Sequence, residues 1–206
     1  MPRQGLTEVL FVVDQSGSMA NLVEDVIGGF NCFLEDQRKL PGLCYVTLTL
    51  FASRCHLVYK CKPIHLVPKM DRETYQPGGN TALLDAIGTT IVEAGQEYGR
   101  RQEADKPEKV IMVIVTDGEE NASRKYAKVI VKALIEQQQR DWGWQFVYLG
   151  ANQDAFAEAG RLGVSPTTTA NFRACGQSVS NAYAALSDSV KNFRATGDAS
   201  LDDKQY

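Results

Sequence analysis

Apolar residues fall along this chain in two rhythms. Glu8-Val9-Leu10-Phe11-Val12-Val13 and Lys109-Val110-Ile111-Met112-Val113-Ile114-Val115-Thr116 are almost continuous apolar runs, as strands buried on both faces of a parallel sheet require. Both give out at an aspartate, Asp14 and Asp117. Leu22, Val23, Val26, Ile27, Phe30, Phe33 and Leu34 recur instead at steps of three and four, which predicts an amphipathic helix over about 20–38, closed by Pro41-Gly42. Cys44 to Ala52 and His56 to Lys60 are rich in β-branched and aromatic residues. They are separated by too few residues for a helical crossover, so they predict an antiparallel hairpin at one edge.

A loop over about 61–80 leads to a second helix beyond Thr81, with Leu83, Leu84, Ile87, Ile91 and Val92 on one face and an end near Gly99-Arg100-Arg101. After the central strand, Ser123 is positioned to cap a helix carrying Tyr126, Val129, Ile130, Ala133 and Leu134. A strand over Gln145–Gly150, a short helix near 153–161 and an edge strand within Thr167–Phe172 follow. Val179, Ala182, Tyr183, Leu186, Val190 and Phe193 mark a last helix over about 176–193. The alternation predicts a doubly wound α/β fold: a mostly parallel central sheet, one antiparallel edge hairpin strand and helices on both faces. No linker or repeat divides residues 1–195, so one domain is expected, with a flexible acidic tail over 196–206.

Composition narrows the function more than the fold. The formal charge of −3, from 22 basic and 25 acidic side chains, gives no long-range attraction for nucleic acid or anionic membrane. The basic group Arg100, Arg101, Lys106 and Lys109 is interrupted by Glu103, Asp105 and Glu108 and reads as a solvated face. No apolar run approaches the ~18 residues that span a bilayer. The first residues lack the pattern of a secretory signal, so a cytoplasmic location is expected. Five cysteines, with no C-x-x-C pair, suit reduced, buried and inert thiols at Cys32, Cys44, Cys55, Cys61 and Cys175.

Candidate chemistry gathers where the strands end, the side on which doubly wound sheets build their sites. Asp14-Gln15-Ser16-Gly17-Ser18 puts three short oxygen-bearing side chains at alternate positions. Gly78-Gly79-Asn80-Thr81 brings a hydroxyl to a helix entrance, and Thr116-Asp117-Gly118-Glu119-Glu120-Asn121 follows the central strand. Hydroxyl, carboxylate and water oxygens are hard ligands suited to Mg²⁺, with Mn²⁺ or Ca²⁺ as alternatives; a set without His or Cys disfavours zinc.

Asp-x-Ser-x-Ser, a distant Thr and Asp-Gly resemble the metal-ion-dependent adhesion site of von Willebrand factor A domains, of an intracellular bacterial or phage-like type, over about residues 7–150. The resemblance implies that Ser16, Ser18 and Thr81 offer hydroxyl ligands, while Asp14 and Asp117 reach the ion directly or through water. It further implies a non-enzymatic module whose metal accepts a Glu or Asp of a partner protein. The charge balance and the lack of a membrane-spanning run are what lead us to expect no nucleic-acid or membrane partner, and the sequence does not set the oligomeric state. The competing reading is a Mg²⁺-dependent phosphohydrolase of haloacid-dehalogenase-like type, which would want an acidic residue where Ser16 stands; a component of a nucleic-acid complex is a third. Gln15, Met19, Asn80 and Glu119 are candidate rim residues, Met19 with a packing role as the alternative. Asp85 is expected to favour its own helix's first turn, and Glu119 and Glu120 to be solvated near the site. His56 and His65 are expected at the surface. The acidic residues Asp198, Asp202 and Asp203 suggest that the tail visits a metal site.

Overall fold

The computed structural model describes residues 1–151, 154–173 and 176–201. Its strands are β1 (Arg3–Asp14), β2 (Leu43–Phe51), β3 (Cys55–Pro63), β4 (Pro107–Thr116), β5 (Gln145–Ala151) and β6 (Thr169–Phe172). Its α-helices are α1 (Val23–Arg38), α2 (Leu83–Arg100), α3 (Lys128–Trp142), α4 (Ala155–Arg161) and α5 (Gly176–Thr196). The sheet order is β3-β2-β1-β4-β5-β6, and all neighbours are parallel except the β2–β3 hairpin. The doubly wound α/β class and the antiparallel edge strand are therefore as the sequence predicts. Among the described residues no helix is long and apolar enough to cross a membrane.

Alternation along β1 explains the layers. Val9, Phe11 and Val13 face a core shared with α1 and α5, where the Phe11 ring meets Phe30 and Phe33 edge-on at centroid distances of 5.1 and 5.0 Å. Leu10 and Val12 face the opposite core, built with buried residues of α2, α3 and α4. β1 lies between β2 and β4, so chain order runs outward from it in both directions. The C-terminal ends of β1 and β4 thus form the topological switch point, where a crevice opens because successive connections leave to opposite faces.

Several expectations need correction. Ser123 does not cap α3, which begins at Lys128 behind Ala127. Of the apolar set expected on α3, Val129, Ile130 and Ala133 are exposed, whereas Leu134 packs against the core as expected, beside the fully buried Val131 and Ile135, and Tyr126 packs there from ahead of the helix. The tail does not start free at 196: Ala199 and Leu201 are buried, the Ser189 hydroxyl donates to the Ala199 carbonyl at 2.6 Å, and the Leu201 amide donates to the Thr167 carbonyl at 2.9 Å. Two apolar side chains that can reach the α5 core outweigh the polarity around them. Asp198 is tied into a local turn with Ser200, whereas Asp202 and Asp203 lie outside the described residues.

The buried Glu8 in β1, at the end of the sheet away from Asp14, was hidden inside an apolar run. Its Oε1 accepts from the Thr47 hydroxyl at 2.9 Å and the Cys61 thiol at 3.0 Å, with Arg101 at 3.9 Å from Oε2. Arg101 is therefore a structural cation, and Lys109 similarly donates to the Arg194 carbonyl, so the expected solvated basic face is partly consumed by the fold. Cys44 is buried, Cys55 and Cys61 are half-buried, and burial pushes their thiols up to about 11, 11 and 12. Cys32 is exposed, contrary to expectation, and Cys175 lies outside the described residues.

Candidate metal centre

Three loops meet over the switch point, and backbone bonds between them come before any side-chain chemistry. The Gln15 amide donates to the Phe51 carbonyl at 2.7 Å, which carries the chain leaving β1 across the end of β2. The Gly17 amide donates to the Gly79 carbonyl at 3.0 Å and the Gly78 amide to the Gln15 carbonyl at 2.8 Å, stitching the loop before α1 to the loop before α2. Gly79 has φ +78°, a left-handed turn that an L side chain resists, and a Cβ there would stand 2.7 Å from the Ser53 hydroxyl. Tyr75, from the long loop, is buried and donates its hydroxyl to the Asp14 carbonyl at 2.5 Å.

On that frame the five predicted residues come together. Asp14 has no solvent exposure; Oδ1 accepts from the Ser16 amide and Oδ2 from the Thr116 hydroxyl, both at 2.6 Å. The Ser16 and Ser18 hydroxyls are 3.0 Å apart, and the Ser18 hydroxyl donates to Asp117 Oδ1 at 2.6 Å. Thr81 is buried at the entrance to α2, and an added Cβ at Gly118 would stand 3.0 Å from its Oγ1 and 3.4 Å from the Ser18 Oγ. Asp14, Ser16, Ser18, Asp117 and Thr81 therefore converge on one small volume, with Gly118 leaving it open.

The electrostatics are unfavourable to the bare carboxylates. Burial raises the Asp14 pKa above the usual aspartate range, opposed by the Thr116 and Ser16 hydrogen bonds, and the nearby Asp117 adds a smaller upward push. Burial also raises Asp117, opposed by the Ser18 hydroxyl. A cation among these oxygens would relieve both. The donor set, two carboxylates and three hydroxyls, fits a hard divalent ion. Among the described residues no group of three or more His, Cys, Asp or Glu side chains could hold a metal.

The residues that brace Thr81 were not legible as such. Asn121 Oδ1 accepts from the Thr81 amide at 2.9 Å, and the Thr81 carbonyl accepts from the Asn121 and Ala122 amides. Glu120 is not solvated: its carboxylate accepts from the amides of Leu84, Ala122 and Ser123 and from the Ser123 hydroxyl, holding the loop after β4 against the start of α2. Asp85 accepts from the amides of Arg124, Lys125 and Tyr126, each at 2.9 Å. Glu120 followed by Asn121, Ala122 and Ser123 carries a local turn signal, but its bond to Leu84 and the three bonds to Asp85 span 36 to 41 residues and have no such signal. Of the proposed rim, Asn80 and Glu119 are exposed, Gln15 is half-buried, and Met19 is wholly buried as a packing residue. His56 and His65 are exposed and contribute nothing to the oxygen cluster.

No protein-family model and no curated protein matches the chain. Solved structures do. Proximal thread matrix protein 1 from the mussel byssus, with a zinc-occupied MIDAS motif, superposes with a TM-score of 0.63 at 18% identity, covering 89% of this chain and 45% of that one. A von Willebrand factor type A protein from Catenulispora acidiphila gives 0.61 at 12% identity, covering 88% and 42%. Manganese-loaded TRAP protein from Plasmodium vivax gives 0.57 at 16%, covering 86% and 71%. The chain spans less than half the length of the mussel and Catenulispora proteins. At these identities the likeness shows the fold, that of von Willebrand factor type A domains.

Proposed function

We propose that this chain, built on the von Willebrand factor A fold, is a non-catalytic protein-binding module of the cytoplasm. It would hold one Mg²⁺ ion on Asp14, Ser16, Ser18, Thr81 and Asp117. The observation that carries the reading is the convergence of one buried and one half-buried carboxylate, both with raised pKa, and three hydroxyls at the switch point of the sheet. Two ionised aspartates balance a charge of +2, and neutral hydroxyls add little more. When bound, the ion would therefore retain attraction for an outside anionic oxygen, supplied by a Glu or Asp of the partner. The zinc-occupied motif of the mussel structure supports a divalent ion at such a place, and the manganese-loaded Plasmodium structure supports a divalent ion on this fold; Mg²⁺ is favoured here by the hardness of the donors. The chain's own part is to orient the donors, and Glu120, Asn121 and Tyr75 do so through the backbone.

The test is recovery of partners from the native cell with and without EDTA, alongside Asp117→Ala. Capture lost both on chelation and in the variant is the expected result; an identical set of partners under all three conditions would remove the metal from the function. Gly118→Ala is expected to weaken Mg²⁺ binding by about tenfold, the scale seen when groups that orient a ligand are disturbed, because its methyl group crowds Thr81 Oγ1. Calorimetric titration checks it, and wild-type affinity in the variant would place the ion elsewhere.

A further inference from the structure

Beside the oxygen cluster lies an open cleft of about 720 Å³, between the β2–β3 turn, the start of α2 and the loop after β4. Asn80 and Asn121, on either side of Thr81, belong to its lining, so the cleft and the candidate metal centre share a border. Its charge runs against that of the chain. Arg54, Arg124 and Lys125 line it, all exposed, and none makes an ion pair among the described residues. Among the described residues the one carboxylate in the lining is Asp85, which is engaged by three backbone amides. Lys125 Nζ sits 5.0 Å over the Tyr126 ring, which orients it without neutralising it.

We propose that this cleft takes an acidic polypeptide segment: the residues of the partner that flank the acid captured at the metal centre. The inference rests on the metal-dependent reading given above and adds what selects the partner. A single carboxylate on an ion carries little sequence information, whereas three cations placed along an adjoining groove favour a segment with further Asp or Glu and repel a basic one. A nucleic-acid strand fits less well, because among the described residues no aromatic side chain lines the cleft to stack a base.

The probe is fluorescein-labelled deca-glutamate, followed by anisotropy with millimolar Mg²⁺ at low and physiological salt, with deca-glutamine and oligothymidylate in parallel. Arg54→Glu combined with Arg124→Glu is expected to weaken deca-glutamate binding by about tenfold and to flatten its salt dependence, since two attractions become repulsions at exposed sites. Mg²⁺ affinity by calorimetry stays at the wild-type value, which also shows that the variant is folded. Three results overturn the proposal: no binding of deca-glutamate to the wild type, equal binding to the double variant, or tighter binding of oligothymidylate that the double variant loses. Chelation separates the two readings. Binding sensitive to charge reversal but indifferent to EDTA would leave the cleft standing without the metal. Binding lost in EDTA yet unaffected by charge reversal would do the opposite.

Discussion

Asp14→Asn is expected to stabilise the metal-free protein while abolishing its response to Mg²⁺. The carboxylate is wholly buried, and burial raises its pKa from the ordinary 3.8. The folded state therefore holds a proton over a pH range in which the unfolded chain has already released it. By linkage, stability falls as pH rises from the ordinary value through the raised one, and it stays at the lower level above. Asp117 is raised for the same reason and contributes in the same direction. Asparagine keeps an oxygen to accept from the Ser16 amide and gains an amide to donate to the Thr116 oxygen, without a charge to desolvate. We expect a gain of about 1 kcal/mol near neutral pH, the ordinary scale of relieving a conflict kept for function. Mg²⁺ at a hundred times its dissociation constant would stabilise the wild type by about 2.7 kcal/mol. It would leave the variant unchanged. Thermal unfolding of both proteins from pH 4 upward, in EDTA and in Mg²⁺, is the measurement. A variant less stable than wild type in EDTA, or one still stabilised by Mg²⁺, defeats the argument.

The same residue shows why the convergence of these side chains is legible in the sequence. Asp14 and Asp117 stand where unbroken apolar runs end, and sheet topology then brings the ends of β1 and β4 side by side. Position along two strands was enough to place both carboxylates. What periodicity did not reveal is held by bonds with no periodic signature. Glu120 and Asp85 reach backbone amides across loops, the former to Leu84 thirty-six residues away. Tyr75 braces Asp14 from a stretch with no regular structure of its own. In α3 the apolar pattern misled: Val129, Ile130 and Ala133 form a face as regular as Val131 and Ile135, and only the position of the sheet decides which turns inward. Leu201, isolated among acidic and polar residues, gave no amphipathic signal although a hydrogen bond and burial hold it to the core.

Two adjacent glycines in α1 should respond to the same substitution with opposite signs. A Cβ added at Gly28 meets nothing within 4 Å, whereas one added at Gly29 would stand 2.4 Å from Tyr183 Cδ2 and 2.6 Å from Cγ. Gly28→Ala therefore removes a flexible residue from a helix interior and should stabilise by about 0.5–1 kcal/mol. Gly29→Ala gains the same helix preference but must displace an aromatic ring near its attachment to α5, where Tyr183 is buried and cannot swing into solvent. Overpacking of this kind costs about 1–3 kcal/mol net. For a chain of this size each 1 kcal/mol moves the unfolding midpoint by about 2–4 °C, so the two variants should fall on either side of the wild type by a readily measured gap. The clash also predicts coupling: Tyr183→Leu in the Gly29→Ala background should cost less than it does alone, because the smaller side chain makes room for the added methyl group. Strict additivity in that double-mutant cycle, or a Gly29→Ala protein as stable as Gly28→Ala, would show that α1 and α5 do not meet at Gly29 as closely as the structure places them.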